Sequence, residues 1–246
     1  MNAPRISCIV PAFNGARYLG EALDSILAQS YRPIEIIVAD DGSTDETADV
    51  AARYGEAVRF VAQATAGPAA TRNLGVRAAQ GDFVAFLDAD DLWHPEKLAR
   101  QMARFAARPE LDVSVTHIKH FWVPELAEEE QRLRGDPRSG ALPGYVTMTM
   151  LAPRSLFDAI GLFDESLWHT DAGDWFLRAA ARATVVEMLD DVLVYHRMHH
   201  TNLSRRYGAA SRAEFVRLVK RSLDERRSDG QAAQPLTAFA DAEDGE

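Results

Sequence analysis

FVAFLDADDLW, residues 83–93, runs five apolar residues into three carboxylates: Asp88, Asp90 and Asp91. An unbroken apolar run of that length, with Val84 and Phe86 in it, reads as a strand buried on both faces. Acids at its carboxyl end stand at the rim of the sheet, where open α/β folds bind ligands. Three neighbouring carboxylates repel one another unless a cation or hydrogen-bond donors offset the charge. Two readings follow. One is a divalent metal site facing a phosphate-bearing ligand; the other is a solvated acidic turn ahead of the next helix.

Upstream, residues 6–10 (ISCIV) form a short buried strand ended by Pro11. A turn follows through Asn14 and Gly15, residues suited to unusual backbone angles. Leu19, Leu23, Ile26 and Leu27 recur at helical spacing and predict a helix over 16–29. After Pro33, residues 34–39 (IEIIVA) give a second strand that ends in Asp40-Asp41-Gly42-Ser43. Ser43 with Glu46 matches a capping box. One of the tandem acids caps the turn, which leaves the other to receive a hydroxyl such as that of a ribose. Residues 58–62 are a third strand, and Gly67-Pro68 opens a helix carrying Arg72, Asn73 and Gly75. Arg72 is either a solvated helix arginine or a phosphate ligand. Pro95 stands at the first turn of a further helix, striped by Leu98, Met102 and Phe105.

This β-α-β-α-β-α-β-α order predicts an α/β fold, a mostly parallel central sheet with helices on both faces. Right-handed crossovers then bring Asp40, Asp41, Asp88 and Asp90 to one edge of the sheet and one crevice.

The second half is less regular. Residues 113–122 read as a strand in which His117 and His120 are structural. Residues 124–144, polar and charged, read as a mobile excursion with a short helix. Residues 145–151 (YVTMTML) alternate as a half-buried strand does. A short helix closes at Gly161, another runs over 176–182, and two strands over 184–189 and 192–198 are joined by Asp190-Asp191. His196, His199 and His200 cluster as a ligand site or as an exposed polar edge. Trp93, Trp168 and Trp175 are candidates to stack on a sugar face. A helical pattern returns over 209–227, and the small, polar, acidic residues after it predict disorder.

The totals narrow the function. A chain of 246 residues fits one large α/β domain or one with a small appendage. A net charge of −10 offers no basic field to nucleic acid. The lone Cys8 forms no internal disulfide and suits a reducing cytoplasm. No apolar run approaches the ~20 residues of a membrane span, and no signal peptide is read. A cytoplasmic protein is expected, with a peripheral seat on the inner face of a membrane left open. The first strand is not followed by G-x-G-x-x-G, which counts against a dehydrogenase.

Six segments together resemble glycosyltransferase family 2, the inverting nucleotide-sugar transferases of GT-A fold. They are Ile9-Val10-Pro11-Ala12-Phe13-Asn14, Leu27 to Tyr31, Asp40 to Asp45, Gly67 to Gly75, Leu87 to Asp91 (the DxD motif), and Asp174-Trp175 with Tyr195 to Ser204. The resemblance covers residues 5–205. It implies a GT-A domain over 1–205, with a nucleotide-binding half (1–107) and an acceptor half (108–205), then a helix (206–227) and a disordered tail (228–246). It implies that Pro11, Ala12, Phe13 and Asp41 line the base pocket with Asp40 beside it, and that Arg72 lies near the nucleotide or its phosphates. Asp88 would reach the ribose or the metal. Asp90, with His199 as a further contact, would hold Mg2+ or Mn2+. The donor would be a UDP-, GDP- or dTDP-linked sugar. The acceptor, whether glycan, lipid-linked sugar, peptide or small molecule, is not specified.

An inverting reaction also needs a base opposite the leaving group. The family usually supplies it from an acidic pair ahead of the "DW" segment, where this chain has Asp171-Ala172. Asp171 is the nearest substitute and Asp174 the next. Two other readings stay open. A nucleotidyltransferase shares such a sheet but usually carries a Gly-rich phosphate loop that residues 11–15 lack. A nucleotide-sugar-binding protein without turnover is consistent with the alanine.

Overall fold

A computed structural model describes residues 3–206 and 208–228. In chain order the elements are β1 (Ile6–Ala12), α1 (Leu19–Leu27), β2 (Ile34–Asp40), α2 (Thr47–Ala52), β3 (Val58–Ala62), α3 (Pro68–Ala78), β4 (Phe83–Phe86), β5 (Leu92–Trp93) and α4 (Lys97–Ala107). The second half adds β6 (Val113–Trp122), α5 (Ala127–Leu133), β7 (Ala141–Pro143), β8 (Leu151–Pro153), α6 (Ser155–Ile160), α7 (Asp171–Ala181), β9 (Val186–Met198), α8 (Leu203–Arg206) and α9 (Gly208–Ser228). The expected disorder from residue 229 onward falls outside the described residues.

One sheet runs β3-β2-β1-β4-β8-β6-β9-β5, with β7 beside β6. Its first four strands are parallel, as the β-α alternation requires. β1 lies between β2 and β4, so the chain reverses direction across the sheet at β1 and opens a crevice at the carboxyl ends of these strands. Beyond β4 the sheet is mixed. β8 is antiparallel to both β4 and β6, β5 is antiparallel to β9, and β6 and β9 run parallel. The sheet is thus parallel throughout β3-β2-β1-β4 and mixed beyond it.

Both faces of the parallel half are covered, which is why its strands read as continuous apolar runs. Ile6, Cys8 and Val10 pack with Leu19, Leu23, Ile26, Trp93 and Leu98 on one face. Ile9, Ile37, Val84 and Phe86 pack with Phe157, Phe163 and Trp175 on the other. α3 lies close on β1 because Gly75 has no side chain; a Cβ there would meet Ile9 Cγ2 at 2.3 Å.

Several expectations from periodicity are corrected. Residues 145–151 do not form one strand; a 3-10 turn at Thr147–Thr149 precedes the short β8. Thr149 Oγ1 bonds back to the Val146 carbonyl at 2.9 Å, the local competition by which threonine favours turns. The two strands expected around Asp190-Asp191 are one, β9, whose register against β6 shifts near His117 and absorbs both acids. The 124–144 excursion is tied to the body. β7 pairs with β6, and Glu129 of α5 takes Arg205 at 2.6 Å on each oxygen. No capping box forms at Ser43. α2 begins at Thr47, and the Ser43 hydroxyl donates to Asp40 instead.

Candidate active site

The two loops that follow β1 and β2 interlock. Asn14, at φ 51°, accepts the Thr44 N–H at 2.8 Å and donates its own N–H to Ser43 Oγ at 2.8 Å. The Gly15 N–H donates to Thr47 Oγ1, and the Ala16 N–H to Asp45. Behind this lock sit the tandem acids, both buried. Asp40 accepts the Gly42 and Ser43 N–H groups and so shapes the turn. Asp41 accepts Gln63 Nε2 and the N–H groups of Ala66 and Gly67, each at 2.9 Å. Both acids are thus engaged by their own loops, with Asp41 Oδ2 taking one of these bonds. Asp41 fastens the segment leading to α3, whose first turn it aligns. Pro11 and Ala12 lie at the end of β1, and Phe13 projects with 55% of its surface exposed.

The three acids after β4 have three separate partners. Asp88 meets Arg72 Nη2 at 3.4 Å. Asp90 meets His199 Nε2 at 2.8 Å. Asp91, fully buried, accepts His196 Nδ1 at 3.0 Å and the Arg197 N–H at 2.8 Å. Burial pushes the Asp91 carboxyl up to about 6 even against the pull of His196. Burial pulls His196 down, but the charge and hydrogen bond of Asp91, with Asp90 and Asp88 behind it, carry the imidazole up to about 9. Asp91 and His196 therefore form a buried pair that fastens β9 behind the acidic turn.

The histidine cluster accordingly splits. His196 serves Asp91, His199 serves Asp90, and His200 is exposed. His120 sits at ring distance from His196 and Trp122, inside the packing. Asn202 Oδ1 accepts the His199 N–H at 2.6 Å, and its amide donates to the Arg197 carbonyl. The chain after β9 is thus folded so that His199 faces Asp90. Arg197, which sequence reading passed over, donates to the Asp90 carbonyl, pairs with Glu21 and lies over the rings of Tyr18 and Phe121. Its signal was position alone, between two histidines of interest.

Asp171 opens α7 and is 4% exposed. Its Oδ2 stands 2.6 Å from Arg72 Nη1, so Arg72 bridges Asp171 and Asp88. Burial pulls the Arg72 guanidinium down, yet the two carboxylates outweigh it and hold it charged. Asp88 is pushed up by burial, with Arg72 opposing and Asp90 adding to the push. Asp174 points elsewhere. It is 2% exposed and paired with Arg178 at 2.8 Å and with Arg221 of α9. Of the three tryptophans considered for stacking on a sugar, Trp93 and Trp175 are buried, with their indole N–H groups on the Met148 and Gly161 carbonyls. Trp168 is 48% exposed and covers Gly67, where a Cβ would meet its ring at 3.3 Å.

Among the described residues no three His, Cys, Asp or Glu side chains gather into a self-sufficient metal cage. Asp90 with His199 still makes a two-ligand set. That suits a hard cation which takes its other ligands from water and phosphate oxygens. Among the described residues no helix is long and apolar enough to cross a membrane.

Residues 7–161 match the profile of "Glycosyl transferase family 2". The chain belongs to that family. It is 34% identical over 212 residues to "Uncharacterized glycosyltransferase RT0329" of Rickettsia typhi, covering 80% of this chain and 65% of that protein. It is 28% identical over 218 residues to "Uncharacterized glycosyltransferase EpsJ" of Bacillus subtilis, covering 82% and 63%. The chain thus spans about two thirds of the length of these relatives. Its fold is that of GT-A glycosyltransferases. S. aureus TarS 1–349, solved with UDP-GlcNAc, superposes with a TM-score of 0.67 at 22% identity over 80% of this chain and 60% of that one. The mannosyltransferase PcManGT of Pyrobaculum calidifontis, solved with GDP-Man and Mn2+, gives 0.63 at 20% identity over 98% and 79%.

Proposed function

We propose that this chain is a metal-dependent inverting glycosyltransferase that moves a sugar from a nucleotide diphosphate to an acceptor hydroxyl, with Asp171 as the proton acceptor. The observation that carries this reading is the Arg72 bridge between Asp88, at the DxD turn, and Asp171, at the start of α7. It joins the donor side of the crevice to the acceptor side through one side chain.

The base and ribose of the donor would lie over the ends of β1 and β2, against Pro11, Ala12 and Phe13, with Asp40 and Asp41 shaping the floor. Asp88 would reach the ribose or the metal. Asp90 and His199 would hold Mg2+ or Mn2+, which supplies charge stabilisation to the departing diphosphate. A diphosphate in the crevice would compete with Asp171 for the Arg72 guanidinium, and charge-assisted bonds of that kind are strong. Drawing Arg72 toward the phosphates frees an Asp171 oxygen. A carboxylate released from its ion pair is the better base for the acceptor proton. The pair thus couples arrival of the donor to readiness of the base. Ala172 removes the carboxylate the family usually carries beside Asp171, so the chemistry falls on Asp171 alone.

The relatives bearing glycosyltransferase names support the reaction class, and the neighbours solved with UDP-GlcNAc and GDP-Man support a nucleotide-sugar donor. A screen of UDP-, GDP- and dTDP-sugars with Mn2+ tests it by the product released. Nucleoside diphosphate supports transfer, whereas pyrophosphate would indicate a nucleotidyltransferase. The alanine at 172 favours a second reading, nucleotide-sugar binding without turnover; donor affinity with no product on any acceptor would select it.

A further inference from the structure

Beside the start of α7 lies a cleft of about 510 Å3 between the 145–146 segment, residues 169–173 and α9. Its walls include Tyr145, Val146, Ala172, Phe215 and Val216; among the described residues that line it, Arg212 is the one Lys or Arg and none is Asp or Glu. This is unusual ground on a chain of net charge −10. The size falls within the range of small-ligand pockets.

The way α9 is attached explains why the cleft stays open. Glu214 accepts the N–H groups of His169 and Thr170 at 2.9 Å and the Thr170 hydroxyl at 2.8 Å. Farther along, Arg221 pairs with Asp174. Leu218, between these locks, is buried against the helix start near Gly173. Phe215 and Val216 lie beside the first lock, yet are 53% and 66% exposed. Two polar locks thus hold a helix whose neighbouring apolar residues are not consumed by packing. Large apolar side chains left at a cleft in this way mark a site for a ligand.

We propose that this cleft is an acceptor subsite for an apolar aglycone that bears an anionic group, the anion facing Arg212. The proposal rests on the transfer reading above, because it places the acceptor by the residues that flank Asp171. Ala172 lines the cleft directly. Where the family usually carries a carboxylate, this chain offers a methyl group. The same substitution therefore removes an acid that would repel an anionic acceptor and occupy apolar space, while the neighbouring carboxylates are already engaged, Glu214 by the His169 and Thr170 N–H groups and Asp171 by Arg72. Arg212 adds the complementary charge.

The test uses the full chain and two kinds of probe. In the first arm 8-anilinonaphthalene-1-sulfonate, an apolar anion, is titrated against the folded protein. Saturable one-to-one binding is expected, weakened about tenfold or more by Val216→Glu and, separately, by Arg212→Glu. Both side chains are exposed, so the melting temperature serves as the control for folding. In the second arm, with whichever donor the screen identifies, free monosaccharides are compared with their 4-carboxyphenyl glycosides. The aryl acceptor is expected to show a KM lower by about tenfold, and Val216→Glu to remove that advantage. Equal KM for the two acceptors, or probe binding indifferent to both substitutions, overturns the proposal. So does a photocrosslinker at position 216 that captures residues 229–246 or a second copy of the chain, since the cleft would then be occupied already. If no donor yields nucleoside diphosphate, the transfer reading fails and the acceptor role with it, while the probe titration still reports separately whether the cleft binds an apolar anion.

Discussion

Arg72 stands 2.6 Å from Asp171 and 3.4 Å from Asp88, and so ties the first turn of α7 to the acidic turn after β4. These carboxylates lie 83 residues apart in sequence. If Arg72 both serves the diphosphate and restrains the base, neither role survives its removal. Arg72→Met is expected to lower kcat/KM for transfer by about 10²-fold or more, the scale of losing a positioned charge at a developing anion. Arg72→Lys should recover only part, since an ammonium cannot reach two carboxylates as a planar fork does. Steady-state kinetics on both variants checks this, and an Arg72→Met enzyme with wild-type kcat/KM would remove Arg72 from the site.

Asp90 lies 2.8 Å from His199 Nε2, and the two are the side chains proposed to hold the metal. Asp90→Asn keeps the shape of the side chain and removes its charge. Donor binding in the presence of Mn2+, followed by thermal shift, is expected to weaken by about 10-fold or more in this variant, while binding without metal changes little. An identical loss with and without Mn2+ would point to a structural role for Asp90.

Asp174 and Asp171 share one helix but meet different surroundings. Asp174 faces Arg178 and Arg221, and Arg221 ties α9 to the body. Asp174→Asn is therefore expected to cost stability, about 1–3 kcal/mol after allowing for the solvent that screens the half-exposed Arg221. Chemical denaturation measures it. A normal midpoint with lost turnover would instead make Asp174 the base.

Lys97 is buried, with its ammonium over the Trp93 ring at 4.3 Å and bonded to Gln101 at 2.8 Å. Burial lowers it from its ordinary value of 10.5 to about 7. Between these values the unfolded chain holds one more proton than the folded one, so this group makes stability rise with pH across that window. Below about 7 both states are protonated and the full penalty of the buried cation stands. The stability difference between wild type and Lys97→Met is expected to move in favour of wild type as pH rises from 7 to 10, measured by denaturant unfolding at each pH. A difference independent of pH would mean that Lys97 titrates normally in the fold.

The parallel half of the sheet was legible because each strand is an apolar run closed by acids and followed by a helix stripe. Residues 83–93 carried that pattern in full. The antiparallel half was less so. The threonines of 145–151 fit the outer face of a strand and the inside of a tight turn equally well. Asp190-Asp191 read as the join between two strands, while a register shift in a long pairing takes up the same two residues. Within the site, sequence brought the right residue types together but could not assign partners. Asp88, Asp90 and Asp91 look alike in the chain, and only the fold gives one to Arg72, one to His199 and one to His196. Arg72 itself was ambiguous because its two carboxylates arrive from distant segments. Asp40 and Asp41 carry a role that their sequence position does not announce, since both accept N–H groups that align the loops around them.

The most direct measurement is single-turnover transfer by Asp171→Asn beside wild type, with donor affinity titrated in parallel. With Asp171 as the proton acceptor, the rate is expected to fall by about 10²- to 10⁴-fold, while donor affinity stays within about threefold of wild type. A variant that transfers sugar at the wild-type rate, or that loses donor binding in step with rate, would contradict the assignment.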